Sequence, residues 1–226
     1  MLYMIHACED REWYVNNYLI PSMKEQGISD DEIVVWMDRE HKGNLYACMD
    51  SFAECGKDFG ATWHLQDDVV IARDFYEQSK KFSKRQIVCG FCSKAIGPNY
   101  GNAGHVKPYQ MWWSFQCIQI PNDLAGGCAD WFYKEALTLD RQDIQERIKG
   151  GKSDDWFFKR FLVLHHPYED VINNYPNLVD HIDYLLGGSI VNKSRNKDHT
   201  AAYFKDKDLV KELEKSLGGM EDGLRQ

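Results

Sequence analysis

The sequence predicts an α/β fold with a Rossmann-like N-terminal half, a mixed central sheet and an irregular C-terminal segment. Three observations predict it. From Leu2 to Ile71, short apolar runs alternate with amphipathic stretches, the rhythm of parallel strands joined by crossover helices. The 226 residues are 43% hydrophobic and 13% aromatic, enough for one large core. No repeat, low-complexity run or linker divides the chain, so a single domain over 1–226 is expected.

Each element follows in order. LYMIHAC (2–8) reads as a buried strand, and a helix from about Asp10 to Gln26 follows it. Trp13, Tyr14, Tyr18 and Met23 share a face of that helix, and Pro21 is placed to kink it. EIVVWMD (32–38) is a second strand that ends on an acid. NLYACMDSFAECG (44–56) is a helix with Gly56 as its stop. ATWHLQDDVVI (61–71) reads as a third strand interrupted by two acids, and Asp74–Arg85 as a basic helix. Then come a strand in RQIVCGFC, a Gly-rich loop from Ser93 to Pro108, and a strand over 111–121. LAGGCADWFYKEAL moves from a small-residue turn into a helix, and DDWFFKRFLVLHH is the next helix after KGGKSDD. The segment from Pro167 to Thr200 reads as irregular, and a terminal helix covers roughly 206–217.

Charge and cysteines narrow the classes. Lys+Arg 27 against Asp+Glu 35 gives a net charge of −8, which argues against a general nucleic-acid coat but not against a local basic groove. The N-terminus turns polar too soon for a signal peptide, and no apolar run is long enough to span a membrane. The seven cysteines therefore read as reduced thiols of a cytoplasmic protein. Cys89-Gly-Phe-Cys92 lacks the second ligand pair of a zinc site.

Three constellations carry chemistry. In HLQDDVVIARDF (64–75), Asp67 and Asp68 close a hydrophobic run, where buried carboxylates are costly unless neutralised. Mn²⁺ or Mg²⁺ would do so; a surface turn capping the next helix is the alternative. In GGKSDDWFFKRFL (150–162), Ser153, Asp154 or Asp155 serves as a helix N-cap, or one of the two carboxylates serves as a general base on a rigid helix start. In NLVDHIDYLLGGSIVNKSRNK (177–197), His181 is either a satisfied core histidine or a ligand beside Lys193, Arg195 and Lys197, cations suited to phosphate oxygens.

Taken in order, these stretches resemble GT-A-fold nucleotide-sugar glycosyltransferases of the bacterial and phage-encoded type. HLQDDVVIARDF resembles the strand-ending acidic metal motif, LAGGCADWF the small-residue turn near the sugar, SDDWFFKRFL the base-bearing motif, and PNLVDHIDYLLGGSIVN the segment with a histidine ligand. The resemblance implies a nucleotide-binding half over 1–75, an acceptor and catalytic half over 76–200, and a C-terminal helix and tail over 201–226. It makes Asp68 and His181 metal ligands for Mn²⁺ or Mg²⁺ on a UDP-sugar. Asp67 would lie near ribose or sugar, Arg11 and Asp38 would hold base and ribose, and Gly126 and Gly127 would flank the sugar. Lys193 and Arg195 would hold the diphosphate. Asp155, or else Asp154, would deprotonate an acceptor hydroxyl, implying inversion. Gln66 stands where the family's motif often has an acid, which lowers the expected metal affinity.

Rival classes are weaker. ACEDREW after the first strand has no G-x-G-x-x-G, and no P-loop motif occurs anywhere. A metal-dependent nuclease or phosphatase would commonly gather more carboxylates. A carbohydrate-binding module could draw stacking platforms from seven Trp and twelve Tyr. The acceptor stays open between a hydroxymethylated pyrimidine in DNA and a saccharide or small molecule. DNA would need KKFSKR (80–85), with Phe82 interleaved, or the loop of His105 and Lys107 leading to Trp112 and Trp113.

Overall fold

Strand β1 (Leu2–Ala7) is flanked by β2 (Ile33–Met37) and β3 (Ala61–Gln66), and both neighbours run parallel to it. The computed structural model describes residues 1–93, 104–110, 115–150, 153–188 and 200–221. The remaining strands are β4 (Val69–Ile71), β5 (Ile87–Cys89), β6 (Gly104–Val106), β7 (Cys117–Pro121), β8 (Val171–Asn173) and β9 (Val179–His181). They form a seven-stranded sheet ordered β2-β1-β3-β7-β5-β8-β6 and a two-stranded sheet of β4 and β9. β7 is antiparallel to both β3 and β5, and β5 is parallel to β8. Five strands, β1, β2, β3, β5 and β8, therefore point the same way, and the mixed α/β architecture read from the sequence is what forms.

The pleat sends alternate side chains to two cores. Tyr3, Ile5, Trp63 and Leu65 face α1 (Glu12–Tyr14), α2 (Ile20–Glu25), α4 (Phe75–Ser79) and α8 (Lys207–Glu221). On the other face Ile118 and Ile120 pack under α3 (Asn44–Cys55), α5 (Asn122–Lys134) and α7 (Asp154–His165), through Met49, Phe52, Phe132, Phe157 and Phe158. Helix α6 (Gln142–Lys149) leads into α7. Between α1 and α2 the chain widens into a π turn at Val15–Leu19, just ahead of Pro21, whose missing N–H breaks the regular ladder.

Four expectations are corrected. The strand read over 61–71 is two strands in different sheets, because the chain turns at Asp67 and Asp68 to face Arg11. The basic helix of 74–85 stops at Ser79. The irregular C-terminal segment contains β8 and β9, too short for a periodicity reading to find. Gly126 and Gly127 lie inside α5, not in a turn. A Cβ on Gly126 would stand 2.9 Å from the Cα of Gly56, and one on Gly127 3.2 Å from the Phe161 ring, so these glycines let helices approach closely. Gly56 itself ends α3 as expected. Among the described residues no helix is long and apolar enough to cross a membrane.

Candidate functional site

The carboxyl end of the parallel strands gathers most of the singled-out residues. Asp67 and Asp68 follow β3, Arg11 follows β1, and Asp38 follows β2. Arg11 reaches across: Nη1 donates to Asp67 Oδ1 at 3.0 Å and also to Asp68 Oδ2, while Nη2 donates to the Gly188 carbonyl at 3.1 Å. Asp67 Oδ2 accepts from the Cys8 backbone N–H at 2.9 Å and from its thiol at 3.3 Å. Arg11, Asp67 and Asp68 are 5–7% exposed, so the guanidinium serves as an internal counter-ion to both carboxylates.

β9 delivers the histidine. Val69 pairs with His181 in the small sheet, and the Ile182 N–H donates to the Asp68 carbonyl at 2.8 Å. His181 Nε2 stands 3.2 Å from Asp68 Oδ2, and Nδ1 stands 3.8 Å from Asp183 Oδ1. Phe91 meets the imidazole edge-on. Burial by itself would lower His181, but Asp68, and then Asp183, outweigh it and raise the imidazole to about 9. Burial likewise opposes ionisation of Asp68, yet His181 and Arg11 hold it well below the usual carboxylate range. Asp67 is raised by burial and by Asp68 beside it. Burial, reinforced by Asp67, pushes the Cys8 thiol up to about 12, so it stays protonated.

The second acidic pair opens α7. Burial, with Asp155 next to it, raises Asp154 to about 7 despite a hydrogen bond to Asn44, the first residue of α3. Since α3 starts where β2 ends, this contact sets the start of α7 at the same end of the sheet as Asp67 and Asp68. Asp155 is more open; its Oδ1 accepts the Trp156 N–H at 2.7 Å, and burial raises it as well. Ser153, just before, is held at φ 76°, a left-handed conformation unusual for a residue with a Cβ, and Arg147 donates to its hydroxyl at 3.2 Å. Arg147 also lies over the Trp156 ring.

Other expected residues stand elsewhere or are already engaged. Both carboxylate oxygens of Asp38 accept backbone N–H groups, of Lys42 and Gly43 at 2.9 Å each, so this acid closes the turn into α3. Gln66 ends β3 opposite His6 and donates its backbone N–H to the Gln116 carbonyl. Gly126 and Gly127 lie in the first half of α5, which starts from Pro121 beside Ala61, at the opposite end of the sheet. The basic run 80–85 is at that opposite end too: Lys84 approaches Gly60, and Phe82 packs on Trp63. Lys107 is bound by Asp170. Lys193, Arg195, Lys197, Trp112 and Trp113 fall outside the described residues.

Sequence reasoning missed two features. Asp183 joins His181; the signal was the Asp-His-Ile-Asp spacing. His6 and His64 meet on adjacent strands at 2.9 Å, beneath Ser51 and Phe52 of α3. A cavity of about 550 Å³ between α2, β4 and α8, with Val69, Val70 and Ile71 as one wall, contains none of these acids.

The donor set is the test of a metal. Asp68 Oδ1, Asp183 Oδ1 and His181 Nδ1 are buried and accept or donate no hydrogen bond, and carboxylate oxygen with imidazole suits Mn²⁺ or Mg²⁺. Among the described residues, though, no group of three or more His, Cys, Asp and Glu side chains is placed to hold a metal ion. Asp68 and His181 would therefore hold a cation only together with ligands from a bound molecule. No protein-family model matches the sequence, and no curated protein matches it significantly.

Proposed function

We propose that the protein is a metal-dependent, inverting glycosyltransferase that moves a sugar from a UDP-sugar to a hydroxyl acceptor. The observation that carries the reading is the meeting of Asp68 with His181 at the carboxyl end of a Rossmann-like sheet, with an acidic helix start at the same end. Ligands of open α/β sheets bind at that end. Asp68 and His181, with Asp183 beside them, would hold the divalent cation, which supplies Lewis-acid stabilisation to a departing diphosphate.

The chain's own groups support the rest of the reading. Arg11, together with His181, keeps Asp68 ionised, so that carboxylate is available to a cation. Asp155 is the acceptor base, because it is the more exposed acid of its pair. Asp154, packed on Asn44, orients the helix start. The Asp155 carboxylate, less buried than that of Asp154, needs only hydrogen-bond reach of the acceptor hydroxyl.

A screen of UDP-sugars by UDP release, with and without Mn²⁺, tests the donor half. Cation-dependent release from one sugar nucleotide is expected, and no release from any would end the reading. Phosphate or nucleotide release from a polynucleotide would instead favour a nuclease. With an acceptor in hand, Asp155→Asn should keep UDP-sugar binding and lower transfer by about 10²–10⁴-fold; undiminished transfer would move the base elsewhere.

A further inference from the structure

Strand β2 ends the seven-stranded sheet, and among the described residues its pairing is with β1 alone. Its five residues, Ile33 to Met37, are all apolar and all part-exposed. Sheet edges are ordinarily shielded by a charged side chain, a proline or a bulge, because unpaired N–H and C=O groups invite another strand. Between Ile33 and Met37 β2 has none of these.

The hydrogen bonds fix which way each residue faces. Asp38 donates its N–H to the Ala7 carbonyl at 2.8 Å. Direction alternates along a strand, so Val34 and Trp36 also turn their backbone groups to β1, while Ile33, Val35 and Met37 turn theirs outward. Two of the outward groups are already used. The Ile33 N–H donates to the Asp30 carbonyl, and the Met37 carbonyl accepts from the Arg39 N–H at 2.9 Å. The Ile33 carbonyl, both groups of Val35 and the Met37 N–H stay open among the described residues.

That set is complementary to itself. A two-fold axis beside Val35 sets a second β2 antiparallel to the first. Val35 then exchanges both bonds with Val35 of the second copy, and each Met37 N–H meets the Ile33 carbonyl opposite. The groups such a pairing leaves over, the Ile33 N–H and the Met37 carbonyl, are the two already satisfied. Sliding one copy by two residues leaves half of the open groups unpaired. Side chains agree with this register: Val34 falls opposite Trp36, a β-branched residue against an aromatic, and Ile33 falls opposite Met37.

Charge also selects the antiparallel direction. It brings the acidic turn Asp30–Glu32 of one copy beside Arg39 of the other, whose side chain is 63% exposed and holds Glu9 and Glu12 only at 3.5–3.6 Å. A parallel pairing would set the acids of each turn against their equals. Glu32 and Asp38, which fall opposite each other, are already held by the Met1 ammonium and by the Lys42 and Gly43 N–H groups.

We propose that the protein forms a two-fold dimer through β2, joining two seven-stranded sheets edge to edge. The pairing needs neither sugar nucleotide nor cation, so it stands or falls apart from the transferase reading.

Sedimentation velocity of the full chain between about 1 and 300 µM should show monomer giving way to dimer. Val35→Pro removes an outward N–H without touching the ladder to β1, and Val34→Lys places a charge against Trp36 of the second copy. Each should weaken dimerisation about tenfold or more. Val35→Cys, close to valine in size, decides the matter should either variant misfold. Directly opposed residues of such a pair have Cα atoms about 5.5 Å apart, within disulfide reach, so oxidation should cross-link two Val35→Cys chains. Val34→Cys lies off the axis and should cross-link no more than the wild-type chain. Monomer at every concentration would leave this edge to a strand of some other protein and overturn the proposal. So would a dimer indifferent to folded Val35→Pro and Val34→Lys variants, or equal cross-linking of the two cysteine variants.

Discussion

His181 Nε2 stands 3.2 Å from Asp68 Oδ2 and thereby fastens β9 to the end of β3 by charge. With Arg11 on the same oxygen, two cationic side chains converge on one buried carboxylate. Removing Asp68 would leave both without their counter-charge, and breaking a buried ion pair from one side costs about 3–5 kcal/mol. Asp68→Ala should therefore lose both cation-dependent UDP release and a large part of its unfolding free energy. Urea denaturation separates the two: a wild-type midpoint would show that the ion pair contributes little to stability, and wild-type UDP release would remove Asp68 from the proposed cation site.

The same pairing sets a proton count. His181, raised to about 9 by Asp68 in spite of burial, is protonated at pH 7.5. A metal ligand must be neutral imidazole, so cation binding should expel about one proton per Mn²⁺ bound. Titrating Mn²⁺ in the presence of UDP, in buffers of differing ionisation enthalpy, reads that number directly. In His181→Gln the release should vanish. Equal proton release from the variant would place the cation away from His181.

The buried His6–His64 pair makes stability depend on pH with a definite sign. Burial pushes His6 down from 6.5 to about 4, and burial with His6 as neighbour lowers His64 well below its ordinary value. The unfolded chain therefore binds protons that the folded chain refuses. Stability is complete above pH 6.5 and falls as pH drops toward about 4, by up to about 3 kcal/mol from His6 alone. Carboxylates titrate in part of that window, so the comparison is with His6→Gln, whose denaturation midpoint should fall less steeply between those limits. Identical slopes would show that the pair does not titrate as its burial implies.

How far the sequence could be read depended on where each signal was written. The first strands, the helix ending at Gly56 and the acidic stop at Asp67 and Asp68 were legible, because periodicity and helix punctuation lie in consecutive residues. The division of 61–71 into two sheets was not, since it is caused by Arg11, distant in sequence. Nor was the inward turn of Arg11, because an arginine after a strand looks alike whether it faces solvent or a carboxylate. Gly126-Gly127 misled for a related reason: paired glycines suggest a turn, yet here a helix crossing needs them. Gly56 did not show, in sequence, that it was the surface against which Gly126 packs.

That crossing gives a prediction independent of any activity. A Cβ built on Gly126 meets the Gly56 Cα at 2.9 Å, and one on Gly56 meets the Gly126 Cα at 2.5 Å. Both obstacles are backbone, which cannot rotate aside as a side chain would. Either alanine must push α3 and α5 apart, and overpacking of this kind costs typically about 1–3 kcal/mol. On helix propensity alone, Gly126→Ala inside α5 should instead gain about 1 kcal/mol. The two effects oppose each other, and the steric one is larger because it also disturbs Phe52, Phe132 and Phe158 in the shared core. Gly126→Ala should thus lower the melting temperature, and Gly127→Ala, which meets only the movable Phe161 ring, should lower it less. A stabilised Gly126→Ala would mean that the helices are free to separate at that point.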